Sequence, residues 1–201
     1  MKDDVRKTVR RLYRNVDGFS IPKSEEKHVR ASKGSPVYGE LTPTGIARLL
    51  EYLKLGPRDV FYDLGAGSGK VVIQTALTAR VRKAIGVELA STRVADANRV
   101  LRAARGAGLL RARACAFREQ DLLETYLSDA TVIYTCSTAF SNRFLTAIAS
   151  RVATLRGPIR FLTLQELADP PARFKRVATL RVETTWTRRC GVAVYHVPSV
   201  R

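Results

Sequence analysis

Gly65, Gly67 and Gly69 alternate between two apolar runs, Val60-Phe61-Tyr62 before and Val71-Val72-Ile73-Gln74-Thr75-Ala76-Leu77 after, with Asp63 two positions ahead of the first glycine. The pattern reads as strand, turn and helix, and the glycines permit backbone angles and close approaches that a Cβ would block. Eighteen residues after Lys70, Glu88 closes a second apolar strand, Ala84-Ile85-Gly86-Val87. Two kinds of cofactor use such a loop. A dinucleotide presses its pyrophosphate onto the helix N-terminus and usually accompanies GxGxxG. Here the spacing is GxGxG, and the Asp63 carboxylate would repel pyrophosphate but suit an amino group. S-adenosyl-L-methionine has an amino group and no phosphate. The expected pocket places Asp63 on that amino group, Glu88 on the ribose hydroxyls and Asp121 on the adenine amine, with Gly65, Gly67 and Gly69 forming the turn.

The rest of the chain fits this start. Strands are expected near 59–63, 84–88, 111–117, 131–135 and 158–164, and helices near 68–80, 91–107 and 139–154. Such alternation implies parallel strands joined by right-handed crossovers. Residues 177–187 and 191–197 are apolar-rich runs split by Arg188-Arg189-Cys190 with no helix between, so they should form an antiparallel hairpin. The expected fold is therefore α/β and Rossmann-like, in the class I methyltransferase layout: a mostly parallel seven-strand sheet, a C-terminal antiparallel hairpin, and helices on both faces. Ahead of the first strand, Thr42 reads as an N-cap with Pro43 at the first helical position. Ile46, Leu49, Leu50 and Leu53 form one helical face ending at Gly56-Pro57. Residues 3–16 suit a basic amphipathic helix, and 17–36, with Gly18, Pro22, Gly34 and Pro36, suit a loop. The expected organisation is a basic extension over 1–35 and a methyltransferase domain over 36–201.

Composition narrows the class. The chain has 201 residues, 45% hydrophobic, and no apolar stretch near the roughly 20 residues that span a bilayer. No secretory signal is read at the start, so the expected location is cytoplasmic, with association to the nucleoid if nucleic acid is a partner, and no membrane. Cys115, Cys136 and Cys190 are widely spaced and His28 and His196 lie far apart, so no metal is expected. The 35 basic residues outnumber 18 acidic ones, a net charge of +17. The excess falls in three zones, +5 over 1–34, +8 over 80–118 and +6 over 170–201, which suits a polyanionic partner such as nucleic acid.

A more particular likeness rests on Tyr38-Gly39-Glu40 before the capped helix, on Asp59 to Gln74, and on Gly86-Val87-Glu88. With Val132-Ile133-Tyr134, Ala139-Phe140 and Thr185-Trp186-Thr187, these resemble the non-SET, seven-strand histone lysine methyltransferases, the disruptor-of-telomeric-silencing family, over about residues 36–197. The resemblance implies that Tyr38, Gly39, Glu40 and Leu41 fold over the methionine end of the cofactor, beside the loop that carries Lys70, and that Asp121 and Leu122 surround the adenine. It implies a narrow lysine channel lined by Cys136, Ser137, Thr138, Ala139 and Phe140 with Trp186 and Val194 or Tyr195. Where the family has two asparagines this chain has Cys136-Ser137, and Val194-Tyr195 stands where the family has adjacent tyrosines.

The expected activity is transfer of a methyl group from S-adenosyl-L-methionine to a lysine of a basic or chromatin-like protein, by a monomer or weak oligomer. The candidate catalytic residues are Tyr38, Cys136, Ser137, Phe140, Trp186 and Tyr195. Two alternatives come from other classes: an RNA or DNA methyltransferase, and a non-catalytic module that keeps the cofactor fold.

Overall fold

The structure is a computed structural model and describes residues 2–32 and 39–200. Five strands, β1 (Val60–Leu64), β2 (Lys83–Glu88), β3 (Cys115–Glu119), β4 (Val132–Thr135) and β5 (Ile159–Thr163), run parallel. A hairpin of β6 (Lys175–Val182) and β7 (Cys190–Val197) closes the sheet, with β7 antiparallel to both β5 and β6. The order is β3-β2-β1-β4-β5-β7-β6. The Rossmann-like sheet with its terminal hairpin is as the alternation of runs requires.

Three helices join the parallel strands: α4 (Lys70–Thr78), α5 (Ser91–Gly106) and α6 (Asn142–Ala153). Ahead of them lie α1 (Lys2–Leu12), α2 (Lys23–Ala31) and α3 (Pro43–Leu53). β1 is buried along its whole length, the signature of a strand covered on both faces. One face carries Tyr62, Leu64, Ile133 and Phe161 against α6, and the other carries Phe61, Tyr134 and Leu162 against α3. A third cluster joins Val9 and Tyr13 of the N-terminal segment to α4 and α5 through Val72, Ile73, Val100 and Leu101.

α3 begins as its sequence dictates. Thr42 accepts a hydrogen bond from the Gly45 amide at 3.1 Å, and Pro43 occupies the first turn. Gly45 is required by contact: a Cβ there would lie 2.0 Å from the Glu183 carbonyl oxygen.

Two expectations need correction. Residues 23–31, read as loop, form α2. Glu25 and Glu26 in its first turn and His28 and Arg30 in its last match the helix dipole, and Val29 is its one buried apolar residue. One apolar contact gives no 3.6-residue stripe, so periodicity could not find it. β3 starts at Cys115 and not near 111, because the Arg111 and Ala112 amides turn back to donate to the Ala76 carbonyl. Among the described residues no helix is long and apolar enough to cross a membrane.

Candidate cofactor and acceptor site

The parallel strands end together, so residues just beyond β1, β2, β3 and β4 meet at one edge of the sheet. Gly65, Gly67 and Gly69 leave β1 with φ of 80°, 54° and 83°, angles that favour glycine. At Gly69 a Cβ would also meet the Phe117 ring at 2.4 Å, so the turn lies flat against β3.

Glu88 is fixed by three backbone amides. Gly67 donates to Oε2 at 2.9 Å, and Leu89 and Ala90 each donate to Oε1 at 2.9 Å. Its carboxylate is thus pinned to the glycine turn while it lines a cleft with Gly65, Leu89, Asp121, Leu122 and Phe140. The cleft is open to solvent on one side. Asp121 Oδ1 accepts from the Leu123 amide at 2.7 Å and holds its own turn at the cleft wall. The Phe140 ring lies 3.2 Å from where a Cβ on Gly65 would be, and it meets Phe144 edge-on at 5.0 Å.

A second cleft adjoins the first through Gly39, Gly65 and Cys136, and adds Glu40, Leu41, Asp63, Lys70 and Tyr134. Asp63 is buried and its Oδ1 has no partner among the described residues, as is true of the Tyr134 hydroxyl. Burial, then the nearby Glu88 charge, hold the Asp63 carboxyl well above the usual carboxylate range. Lys70 pairs with Glu40 in the lining of this cleft. The Cys136 thiol donates to the Gly39 carbonyl at 3.3 Å, and burial and then Asp63 push it up to about 12, so it is a neutral thiol.

These residues fit an adenosyl cofactor that carries an ammonium. An orphaned, buried carboxylate oxygen at Asp63 is the partner such a group needs, and a Glu88 carboxylate aimed into the neighbouring cleft suits a diol. A dinucleotide does not fit, because the Asp63 carboxylate at the glycine turn would face its phosphates. Among the described residues no group of three or more His, Cys, Asp or Glu side chains is arranged to hold a metal.

The structure brings Gly39, Glu40, Leu41, Asp63, Gly65, Lys70, Glu88, Asp121, Leu122, Cys136 and Phe140 into the two clefts. Tyr38 lies outside the described residues. Ser137 must be corrected: it is fully buried, its hydroxyl lies 2.6 Å from that of Thr163 and accepts from the Gln165 amide at 2.9 Å. It ties β4 to the end of β5 and lines neither cleft. Tyr195 is corrected too. It packs with Phe161 and Phe174, and its hydroxyl accepts from the Leu167 amide at 3.1 Å. It sits on the α6 face of the sheet, whereas Val194 sits on the face shared with Tyr134 and Leu41. Trp186 is 47% exposed in the β6–β7 loop, where its ring would meet a Cβ on Gly39 at 2.5 Å. It borders the loop and lines neither cleft.

Sequence reasoning missed α2 as a wall. Val29 and Ser32 line the first cleft. Glu25 anchors α2 by accepting from the Ser91 hydroxyl at 3.0 Å and from Thr92 at the N-terminus of α5. Burial opposes the Glu25 charge, yet bonds from Thr92 and Ser91 hold its carboxyl below the usual range. The available local signal was the pair of acids, Glu25 and Glu26, ahead of His28 and Arg30, the charge order of a short helix.

The model of the family described as histone methylation protein DOT1 matches residues 19–188. A histone-lysine N-methyltransferase, H3 lysine-79 specific, from Caenorhabditis elegans is 44% identical over 55 residues, 27% of this chain and 6% of that protein. A protein-lysine N-methyltransferase from Saccharolobus islandicus is 40% identical over 52 residues, 26% of this chain and 32% of that protein. The chain thus matches less than a third of the length of the first and about a third of the second. The crystal structure of an RNA methyltransferase from Salinibacter ruber in complex with S-adenosyl-L-homocysteine superposes with a TM-score of 0.56. It is 26% identical in sequence, and the match covers 78% of this chain and 92% of that one.

Proposed function

This chain belongs to the DOT1 family of histone methylation proteins, and on that premise we propose that it is an S-adenosyl-L-methionine-dependent protein-lysine N-methyltransferase. The observation that carries the cofactor reading is the unpartnered Oδ1 of Asp63, buried in the wall of one cleft and next to the anchored Glu88 of the other. When bound, S-adenosyl-L-methionine supplies an electrophilic methyl group on a sulfonium.

The chain's own residues orient and desolvate. Asp63 receives an ammonium, Glu88 a diol, and Asp121 with Leu122 and Phe140 encloses a flat ring system. Lys70 and Glu40 pair in the lining of the Asp63 cleft. A lysine acceptor must arrive as the free amine, from an ordinary pKa of about 10.4. Near the acceptor side Cys136 is a buried, neutral thiol, so low polarity is the means of favouring the neutral amine. Alignment of the amine with the methyl group is then the main source of rate.

The acceptor is a basic or chromatin-like protein, and nucleic acid carrying that protein meets the basic surface of this chain. The likeness to the Salinibacter RNA methyltransferase favours a second reading, in which RNA itself is the acceptor. One experiment decides. The protein is incubated with methyl-labelled cofactor and cell extract, with nuclease or protease added afterwards. Label in protein, mapped to lysine by mass spectrometry, is the expected result. Label that nuclease releases from RNA would overturn it in favour of the second reading.

A further inference from the structure

In a parallel sheet the loops that enter the strands share the edge opposite the one where the strands end. Here that edge is laced together by its own backbone: the Arg82 amide donates to the Asp59 carbonyl at 2.9 Å, and the Arg113 amide to the Val81 carbonyl at 2.9 Å. The loops entering β1, β2 and β3 therefore lie on neighbouring rungs, about 4.8 Å apart. They carry exposed Arg58, Arg80, Arg82, Arg111 and Arg113, and the loop entering β5 adds Arg156. Of the carboxylates at this edge, Asp59 is held by Arg160 at 2.6 Å and Asp129 by Lys83 at 2.8 Å, and exposed Glu51 shares a surface pocket with Lys54 and Arg111. Among the described residues Arg80, Arg111, Arg113 and Arg156 make no ion pair.

We infer that this rear edge is a docking surface for the phosphate backbone of double-stranded nucleic acid, held away from the methyl-transfer site. The chemistry favours phosphate in three ways. The cations are arginines, whose planar fork grips phosphate oxygens in pairs. They repeat across adjacent rungs, which suits a repeating anion. A lipid surface would need a contiguous apolar face to insert, whereas among the described residues the exposed large apolar side chains on segments reaching this edge, Tyr52, Tyr126, Val177 and Val200, are spread over four separate stretches of the chain.

Placement then says what the duplex is for. β1 and β3 are each five residues long, about 16 Å at 3.3 Å per residue. A duplex on the rear edge is therefore separated from the clefts by the thickness of the sheet, and its bases are not the methyl acceptor. It serves as a tether that keeps the enzyme near proteins bound to the same duplex. This rests on the reading of the front clefts as the methyl-transfer site.

The test uses the full chain and a fluorescent 20-base-pair duplex, titrated at several salt concentrations. The rear variant combines Arg80→Glu, Arg82→Glu, Arg111→Glu and Arg113→Glu. A front variant with the same charge change combines Lys27→Glu, Arg143→Glu, Arg188→Glu and Arg189→Glu. The rear variant is expected to bind at least about thirtyfold more weakly, and its slope of log affinity against log salt to flatten by about 3 to 4 units. The front variant should change affinity severalfold at most, and saturating S-adenosyl-L-homocysteine should leave duplex affinity unchanged. Equal losses in both variants, competition by S-adenosyl-L-homocysteine, or a rear edge that binds phosphatidylserine vesicles and not duplex would each overturn the proposal. Calorimetric titration of every sample with S-adenosyl-L-homocysteine separates the two readings: wild-type protein that binds duplex but not this ligand refutes the clefts and leaves the surface standing.

Discussion

Glu88→Gln is the substitution whose cost can be worked most directly from the geometry. Three amides, from Gly67, Leu89 and Ala90, converge on two carboxylate oxygens. An amide of the same shape offers one oxygen. In its better orientation that oxygen keeps Leu89 and Ala90, and the new NH₂ then faces the Gly67 amide, donor against donor. One charge-assisted bond is lost outright, about 1.5–3 kcal/mol, and the two that remain become neutral and weaker. A total of about 2–4 kcal/mol lowers Tm by roughly 4–16 °C in a chain of this size. The same change removes the acceptor proposed for the ribose, so S-adenosyl-L-homocysteine should bind at least about tenfold more weakly. Thermal melts and calorimetric titration on one preparation read both effects. A Tm within about 1 °C of wild type would refute the anchoring argument. A lowered Tm with unchanged affinity would refute the cofactor role and keep the anchor.

Asp63→Asn should weaken S-adenosyl-L-homocysteine binding while raising Tm in its absence. The Asp63 carboxyl is raised when folded, so its stability contribution is full below the unfolded value near 3.9 and is lost as pH rises through the folded one. The gain in Tm should therefore be larger at pH 7 than at pH 4, and a gain independent of pH would contradict it. Ser137→Ala leaves the Gln165 amide without its acceptor, while the Thr163 hydroxyl keeps its bond to the Gln165 carbonyl, and should cost about 1–2 kcal/mol. S-adenosyl-L-homocysteine affinity should hold in the folded protein; a lost affinity with normal Tm would return Ser137 to the site. Tyr195→Phe removes only the bond to the Leu167 amide, about 1 kcal/mol, and a drop in methyl transfer without loss of stability would reopen its place in the channel.

The cofactor half of the site was legible because its determinants are local. Asp63, the three glycines and Lys70 follow one another in the chain, and Glu88 sits at a strand end that its own apolar run announces. The acceptor half was legible only in outline. Tyr195 and Val194 are neighbours in β7, and strand parity sends them to opposite faces; which face belongs to α6 and which to α3 depends on helices far away in sequence. Ser137 has the same difficulty, since its partners Thr163 and Gln165 arrive from the end of β5. α2 escaped notice for another reason: it is held by Val29 and by Glu25 reaching Ser91 and Thr92, contacts that leave no periodic stripe.

The segment after Gly39 is stitched to the β6–β7 loop. The Thr185 amide donates to the Glu40 carbonyl at 2.9 Å, Leu41 bridges Thr184, and the Thr42 hydroxyl donates to Glu183 at 2.7 Å. Gly45 presses on the same loop from α3, and Trp186 covers Gly39. One side of the cofactor opening is thus a rim carried by the last hairpin, and through Glu40 and its pair with Lys70 the rim is tied to the glycine turn. Lengthening or exchanging residues 183–189 would therefore reshape the entrance and disturb the Asp63 cleft together, while the amides that anchor Glu88 stay untouched.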